Sequence, residues 1–129
     1  MNMLLWILQV LFGIYFIVFG MMHFIVPPGL PATMSWMYDL SSGLHLFSGM
    51  AEILGGLGLI LPGVTKIQTR LTPLAGTGLV LLMIGAIVWH LQRGEFQNIG
   101  LNLVIVAVVA WITYGRWKLQ PLADRNDAA

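Results

Sequence analysis

Apolar residues form four long runs along this chain, and short polar or proline-rich breaks separate them. The runs cover residues 3–26, 43–61, 71–91 and 99–114. As a helix, about 20 apolar residues cross about 30 Å of hydrocarbon. Inside a bilayer, backbone polar groups must bond to one another, so each run is predicted to be an α-helix. The pattern predicts an all-α fold, an integral membrane four-helix bundle that forms a single domain over residues 1–119.

Prolines, glycines and one charged turn mark the breaks. The proline-rich segment 27–31 ends the first run and Pro62 ends the second, because proline lacks an amide proton and disfavours helix before it. Residues 93–95, Arg-Gly-Glu, form the turn before the fourth run. Aromatic residues and methionines in 32–42 predict a short outer interfacial helix. The polar residues 120–129 are predicted to form a disordered tail.

Composition and charge set the compartment. The chain is 58% hydrophobic and 9% charged, whereas soluble domains carry about 25% charged residues. This excludes a soluble fold and makes the lipid bilayer a partner. A formal net charge of +1 gives no indication of nucleic-acid binding. Five of the six lysines and arginines lie between residues 61 and 71 or beyond residue 115. The positive-inside rule therefore predicts a multi-pass protein of the cell (inner) membrane with both termini cytoplasmic.

Glu52 stands alone near the middle of the second run. A carboxylate at the centre of a membrane helix costs about 2.5–3.5 kcal/mol on insertion scales. A polar partner on another helix, a water-filled cavity, a ligand or protonation has to offset that cost. Glu52 is therefore the first candidate for a functional residue.

Five further polar side chains fall at the predicted outer ends of the helices. They are His23, His45, His90, Asn98 and Asn102. Glu52 lies about 10 Å deeper than His45, at about 1.5 Å of rise per residue. These side chains predict an outward-facing polar pocket with Glu52 at its floor.

Several uses of such a pocket stay open on the residues alone. Histidines above a carboxylate suit a proton conduit or a small transporter. Histidine and asparagine donors beside aromatic and methionine side chains suit a quinone or a similar lipid-soluble ring. A metal is not predicted, because no two histidines have the i, i+4 spacing of a helical ligand pair. In the non-functional interpretation, a neutral Glu52 bonds to Ser48 or Asn102 and links two helices.

Small residues recur at helical spacing and predict close helix packing. They are Gly13, Gly20, Gly49, Gly55, Gly56, Gly78 and Gly85. Packing stripes need no function to explain them. They also suit a non-enzymatic scaffold or assembly subunit that docks partner helices, including those of a homo-oligomer.

Three stretches resemble DoxX-like membrane proteins. Segment 52–62, EILGGLGLILP, resembles the second-helix motif of that family. Segment 71–95, with its LTPLA start, His90 and its RGE end, is similar to the third helix and the turn after it. Asn98, Asn102 and the closing 114–116, YGR, are similar to the fourth helix.

The resemblance extends over about residues 4–117 and implies a four-helix membrane bundle. The family takes its name from a subunit associated with thiosulfate:quinone oxidoreduction, and some members are linked with membrane oxidoreductase complexes. It implies an accessory subunit with a redox partner rather than a stand-alone enzyme. A quinone-like ligand would then meet Glu52 as proton acceptor or hydrogen-bond partner, and His45 and His90 as donors. The chain has no cysteine, so it cannot perform thiol chemistry itself.

Overall fold

A computed structural model describes residues 1–128, and over that range the chain is helical without a strand. The long helices are α1 (Asn2–Met22), α2 (Ser42–Thr65), α3 (Leu71–Gln92) and α4 (Phe96–Tyr114). A π-helical turn, Gly115–Leu119, prolongs α4. All four helices are long and apolar enough to cross a membrane. The prediction of an all-α four-helix membrane bundle is confirmed.

Each long helix packs against the next one along the chain, and α4 also touches α1. Side chains from all four helices form one apolar core, which includes Phe16, Leu59, Leu79, Val109 and Ile112. The core is surrounded by apolar side chains that remain exposed, as expected where lipid rather than water surrounds a protein.

An even number of helices brings both chain ends to one end of the bundle. We call the end that carries Asn2, the 66–70 loop and Leu119 the terminal end. The opposite end, which carries His23 and the 93–95 turn, is the histidine end.

Two glycine pairs allow α1 and α2 to touch through their backbones. A Cβ on Gly20 would lie 2.9 Å from the carbonyl oxygen of Gly49, and a Cβ on Gly13 would lie 3.0 Å from that of Gly56. Both distances are too short for an ordinary contact. A side chain at these positions would therefore force the two helices apart.

The remaining stripe glycines divide into two kinds. A Cβ on Gly55 would lie 2.5 Å from Leu79 of α3, so Gly55 belongs to a helix contact. Nothing lies within 4 Å of a Cβ built on Gly78 or Gly85. These two glycines line a cavity, which corrects their interpretation as packing residues within the chain.

Helix α2 runs through Pro62 and ends at Thr65. The prediction that Pro62 ends this helix is wrong, and the reason lies on the next helix. Proline cannot donate to the carbonyl of Gly58, four residues earlier, and the Thr72 hydroxyl donates to that oxygen instead, at 3.0 Å. The helix therefore continues without an unpaired carbonyl in hydrocarbon.

A 3₁₀ helix, Ala32–Tyr38, lies between α1 and α2. The Tyr38 hydroxyl holds its start by donating to the carbonyl oxygen of Pro27 at 2.7 Å and accepting from the Leu30 amide at 3.1 Å. Met37 is fully buried. The segment is thus fixed over the histidine end; that it lies at the outer membrane surface stays a prediction.

The segment after Gln120, for which the sequence predicts disorder, folds against the loop between α2 and α3. Thr69 donates its amide to Asp124 at 2.7 Å and its hydroxyl to the carbonyl oxygen of Leu122 at 2.9 Å. The Arg125 amide donates to the carbonyl oxygen of Lys66 at 2.7 Å. Hydrogen bonds from Thr69 hold the pKa of Asp124 below its usual range.

Candidate functional site

A cavity of about 1120 Å³ occupies the histidine end of the bundle. All four long helices and the 3₁₀ helix contribute to its wall, which is mostly aliphatic and aromatic. The predicted polar residues that line it are His23, Glu52, His90, Asn98 and Asn102. A large apolar cavity with a few polar groups is the usual form of a small-molecule site, and this one is large enough for a ring with an attached chain.

The deepest polar feature is a chain of hydrogen-bonding groups that starts at Glu52. Its Oε2 lies 3.3 Å from Nε2 of His23. The other nitrogen of His23, Nδ1, lies 2.9 Å from Nδ1 of His45. Nε2 of His45 lies 2.8 Å from the carbonyl oxygen of Met37 in the 3₁₀ helix. Three elements, α1, α2 and the 3₁₀ helix, are thereby joined.

The carbonyl oxygen of Met37 determines which nitrogen atoms in this series of hydrogen bonds carry a hydrogen. A backbone carbonyl only accepts, so Nε2 of His45 carries a hydrogen. With His45 neutral, its Nδ1 accepts, and the hydrogen between the two rings therefore belongs to Nδ1 of His23. Nε2 of a neutral His23 is then an acceptor that faces the carboxyl group of Glu52. One proton held by this pair would leave it without net charge, which would offset the cost of Glu52 in hydrocarbon.

Glu52 keeps unused hydrogen-bonding capacity. The 3.3 Å separation from His23 suits an ion pair but exceeds the usual 2.7–3.2 Å of a hydrogen bond. Within the described part of the chain, the buried oxygen Oε2 has no well-formed hydrogen bond. The Glu52 residue is 9% exposed and lines the cavity. A bound molecule can therefore add to its interactions.

A second polar network closes the histidine end around His90. Nδ1 of His90 lies 3.0 Å from Oε1 of Glu95, and Arg93 donates to the same oxygen at 2.8 Å. Arg93 also donates to Asp39 at 2.6 Å, which ties the loop after the 3₁₀ helix to the turn before α4. Desolvation alone would raise the pKa of Glu95, but hydrogen bonds from Arg93 and His90 lower it below its usual value.

This network determines what Nε2 of His90 offers to a ligand, whereas the role of His90 as a donor stays a prediction. An ionised Glu95 only accepts, so Nδ1 of His90 carries the hydrogen. A neutral His90 then has Nε2 as an acceptor rather than as a donor. A ligand that meets Nε2 of a neutral His90 has to donate, as a hydroxyl group does.

Two tryptophans join the networks. Trp36 lies 6.2 Å from His23, 5.1 Å from His90 and 6.1 Å from Trp89, measured between ring centroids. The Arg93 guanidinium lies 4.5 Å from the Trp89 ring centre, within the range of a cation–π contact. Sequence reasoning assigned Trp36 to membrane anchoring and missed its contact with both histidines. Its place in a segment of clustered aromatic residues was the available signal.

The predicted site residues do not all meet the cavity. His45 is absent from the wall and reaches Glu52 only through His23. Asn102 is 7% exposed, and neither it nor Asn98 makes a side-chain hydrogen bond with a residue in the described range. Their amide groups are therefore available to a molecule in the cavity.

Metal binding has no support in this geometry. No group of three histidine, aspartate or glutamate side chains in residues 1–128 is arranged to hold a metal ion. The reason is visible at His23, whose two nitrogens contact two different side chains instead of a common point.

Exposed members of the cavity wall show where it opens. On α2, Phe47 and Leu54 are 65% and 61% exposed, and on α3, Leu81 is 65% exposed. Gly78 and Gly85 of α3 are also exposed and leave open space beside them. Leu101 of α4 is 55% exposed and also lines the cavity, which therefore opens sideways among α2, α3 and α4, on a surface that faces lipid in a membrane.

A separate polar cluster lies at the terminal end around a buried arginine. Arg116 is 3% exposed and donates to the side chains of Gln9 and Asn2 and to the carbonyl oxygen of Gln120. The Gln9 amide donates in turn to the carbonyl oxygen of Leu59 at 2.8 Å. Sequence reasoning treated Arg116 as a topology signal, because its partner Gln9 lies 107 residues away in the chain.

Comparison with known families gives one result. The sequence model of the DoxX-like family matches residues 7–112, a range that contains every predicted cavity residue. Searches of curated proteins and of solved structures give no match.

Proposed function

Because this chain belongs to the DoxX-like family, we propose that it is a small subunit or accessory protein of a membrane redox system that binds a quinone-like ring. The cavity at the histidine end carries this proposal. Its apolar wall of about 1120 Å³ suits a lipid-soluble ring. Glu52, Asn98 and Asn102 supply polar groups whose hydrogen-bonding capacity the protein leaves unused.

The polar groups match the two redox forms of such a ring. The amide groups of Asn98 and Asn102 can donate to a quinone carbonyl oxygen. The acceptor nitrogen of a neutral His90 suits the hydroxyl group of the reduced form. Reduction adds two electrons and two protons, one to each oxygen. The two electrons would come from a reduced redox centre of a partner subunit, which is oxidised in the step. One proton would come from the His23–Glu52 pair and the second from water, which would also reprotonate the pair.

The distribution of charge supports an orientation with both termini in the cytoplasm. Arg93 is the only lysine or arginine of the sequence that lies at the histidine end. Its charge is balanced by Asp39 and Glu95, so the cationic excess lies at the terminal end. The positive-inside rule then puts the cavity on the outer side of the cell membrane.

A proton conduit and a scaffold have less support. The histidine chain stops at Glu52, and the core on its far side, with Phe16 and Leu59, is apolar. Substitution of the packing glycines cannot test whether the protein is a scaffold, because it affects more than association with a partner. Leucine at Gly55 or Gly56 would clash inside the bundle and disturb the fold itself.

Organic extraction and mass spectrometry of protein purified in mild detergent test the proposal. We expect a stoichiometric quinone-like compound, and an occupancy about tenfold lower in Glu52→Gln, which corresponds to about 1.4 kcal/mol. Asp124→Asn makes the same carboxylate-to-amide change at the terminal end and is expected to retain the compound. Bulk phospholipid alone in the wild-type extract, or full occupancy in Glu52→Gln, would contradict the proposal.

A further inference from the structure

A second cavity, of about 360 Å³, lies at the terminal end. The start of α3, the end of the fourth span and the segment that follows it form its wall. Arg70 and Arg116 both line it, together with Thr69 and Trp117. It shares no wall residue with the cavity at the histidine end.

Within residues 1–126, whose side chains the structure describes, Arg116 has no carboxylate partner. Its acceptors are the neutral oxygens of Gln9, Asn2 and Gln120, and no carboxylate in that range lies within 4.0 Å. Nη2 has only one contact, a long one of 3.4 Å to the backbone oxygen of Asn2. Arg93 at the other end has two carboxylate partners. A buried charge without an opposite charge is strongly unfavourable, so an anion bound beside Arg116 would stabilise the protein.

Arg70 adds a second positive charge to this cavity. Asp124 acts on Arg70 electrostatically and accepts hydrogen bonds from Thr69. The wall of this cavity therefore contains two arginines, and Asp124 acts electrostatically on one of them, Arg70. Arg70 itself is exposed, so an incoming anion can reach it.

We propose that this cavity binds a phosphate group between Arg70 and Arg116. Guanidinium groups recognise phosphate oxygens with directed, charge-assisted hydrogen bonds. The cavity lies at the ends of membrane-length helices beside the half-exposed Trp117, at the depth where lipid headgroups meet protein. An anionic phospholipid is the source that these surroundings favour, and free phosphate carries the same chemistry.

The test uses the full-length protein in mild detergent and measures its thermal midpoint during titration. The probes are short-chain phosphatidylglycerol, phosphatidylcholine with the same chains, and inorganic phosphate. We expect phosphatidylglycerol to raise the midpoint, and Arg70→Gln to weaken that response about tenfold. Lys118→Gln removes the same charge from an exposed position outside the cavity wall and is expected to change the response less than twofold.

Each outcome is decisive. A response to phosphatidylglycerol alone identifies a lipid site, and an equal response to inorganic phosphate identifies a site for the free anion; both support phosphate binding if Arg70→Gln weakens it. Equal weakening by Arg70→Gln and Lys118→Gln would show general surface attraction and overturn the proposal. A response that survives Arg70→Gln unchanged, or that phosphatidylcholine reproduces, would overturn it as well.

Discussion

Glu52 is accommodated in the membrane by a histidine from another helix. One proton shared with His23 would leave the pair without net charge, and His45 and the Met37 carbonyl fix which nitrogen of His23 faces the carboxylate. The sequence indicated that Glu52 needs a partner, and it predicted one depth for the histidines. It could not indicate which histidine meets Glu52, because that depends on how α1 is rotated against α2.

Acid is expected to loosen the network around Glu95. The pKa of Glu95 is lowered in the folded protein. Its contribution to stability is therefore present at pH values above the ordinary glutamate pKa of about 4.3, and it is lost as the pH falls through the lowered pKa. Protonation releases Arg93 and His90. We expect the thermal midpoint in detergent to fall between about pH 5 and pH 3, and Glu95→Gln to lower it at pH 7 and to reduce this fall.

Other carboxylates, Asp124 among them, also titrate in this range. The informative quantity is therefore the difference between the wild type and Glu95→Gln at each pH. A difference that stays constant from pH 7 to pH 3 would show that Glu95 contributes nothing to the acid response.

At the scale of elements, α2 is stabilised by its neighbours at the point where its own hydrogen bonding is interrupted. Thr72 donates to the carbonyl oxygen that Pro62 leaves without a partner. Gln9 donates to the next carbonyl oxygen along the helix, that of Leu59. Two adjacent carbonyl groups of α2 thus accept hydrogen bonds from side chains of α3 and α1.

Thr72→Val is expected to destabilise the bundle by about 1–2 kcal/mol, because it leaves the carbonyl of Gly58 unpaired in the interior. Thr77→Val is the matched control. Thr77 bonds at 2.8 Å to the carbonyl of Pro73 in its own helix, and this oxygen also has a helical backbone partner. Thermal unfolding in detergent measures both. In a Pro62→Ala background, which restores the amide proton, Thr72→Val should cost less; an equal cost in both backgrounds would contradict this account.

The sequence predicted the number and order of the helices better than the residues at which they end. Four runs of membrane length admit one secondary structure, so the long apolar segments fixed the number and order of the helices. The prediction at Pro62 failed because the hydroxyl of Thr72, on the next helix, donates the hydrogen bond that proline cannot donate. The link between Asp39 and Arg93, 54 residues apart, lies outside any local pattern. Contacts between elements are therefore what the sequence left undetermined.

For the whole molecule, the important property is the direction in which the main cavity opens. Helices α2 and α3 are in close contact where Gly58 meets Ala75 and Gly55 meets Leu79, and the cavity extends from there towards the histidine end. Exposed apolar side chains of α2, α3 and α4 line it. A lipid-soluble ligand can therefore reach the Glu52 region from within the bilayer without crossing water.

Gly85→Leu is expected to narrow this opening without disturbing the fold, because nothing lies within 4 Å of a Cβ at that position. Gly100→Leu on α4 is the matched control; it is equally uncrowded and lies outside the cavity wall. The probe is decylubiquinone, and its association is followed by quenching of tryptophan fluorescence. We expect association about tenfold slower in Gly85→Leu and a change below twofold in Gly100→Leu. Equal rates in both variants would place the route elsewhere.

The hydrogen bond from Thr72 to Gly58 also constrains how the chain enters the membrane during synthesis. When α2 first meets hydrocarbon alone, one of its carbonyl groups has neither a backbone partner nor water, at a cost of several kcal/mol. The hydroxyl that satisfies it follows ten residues after Pro62, across a short loop. This bond therefore favours insertion of α2 and α3 together, as a joined hairpin.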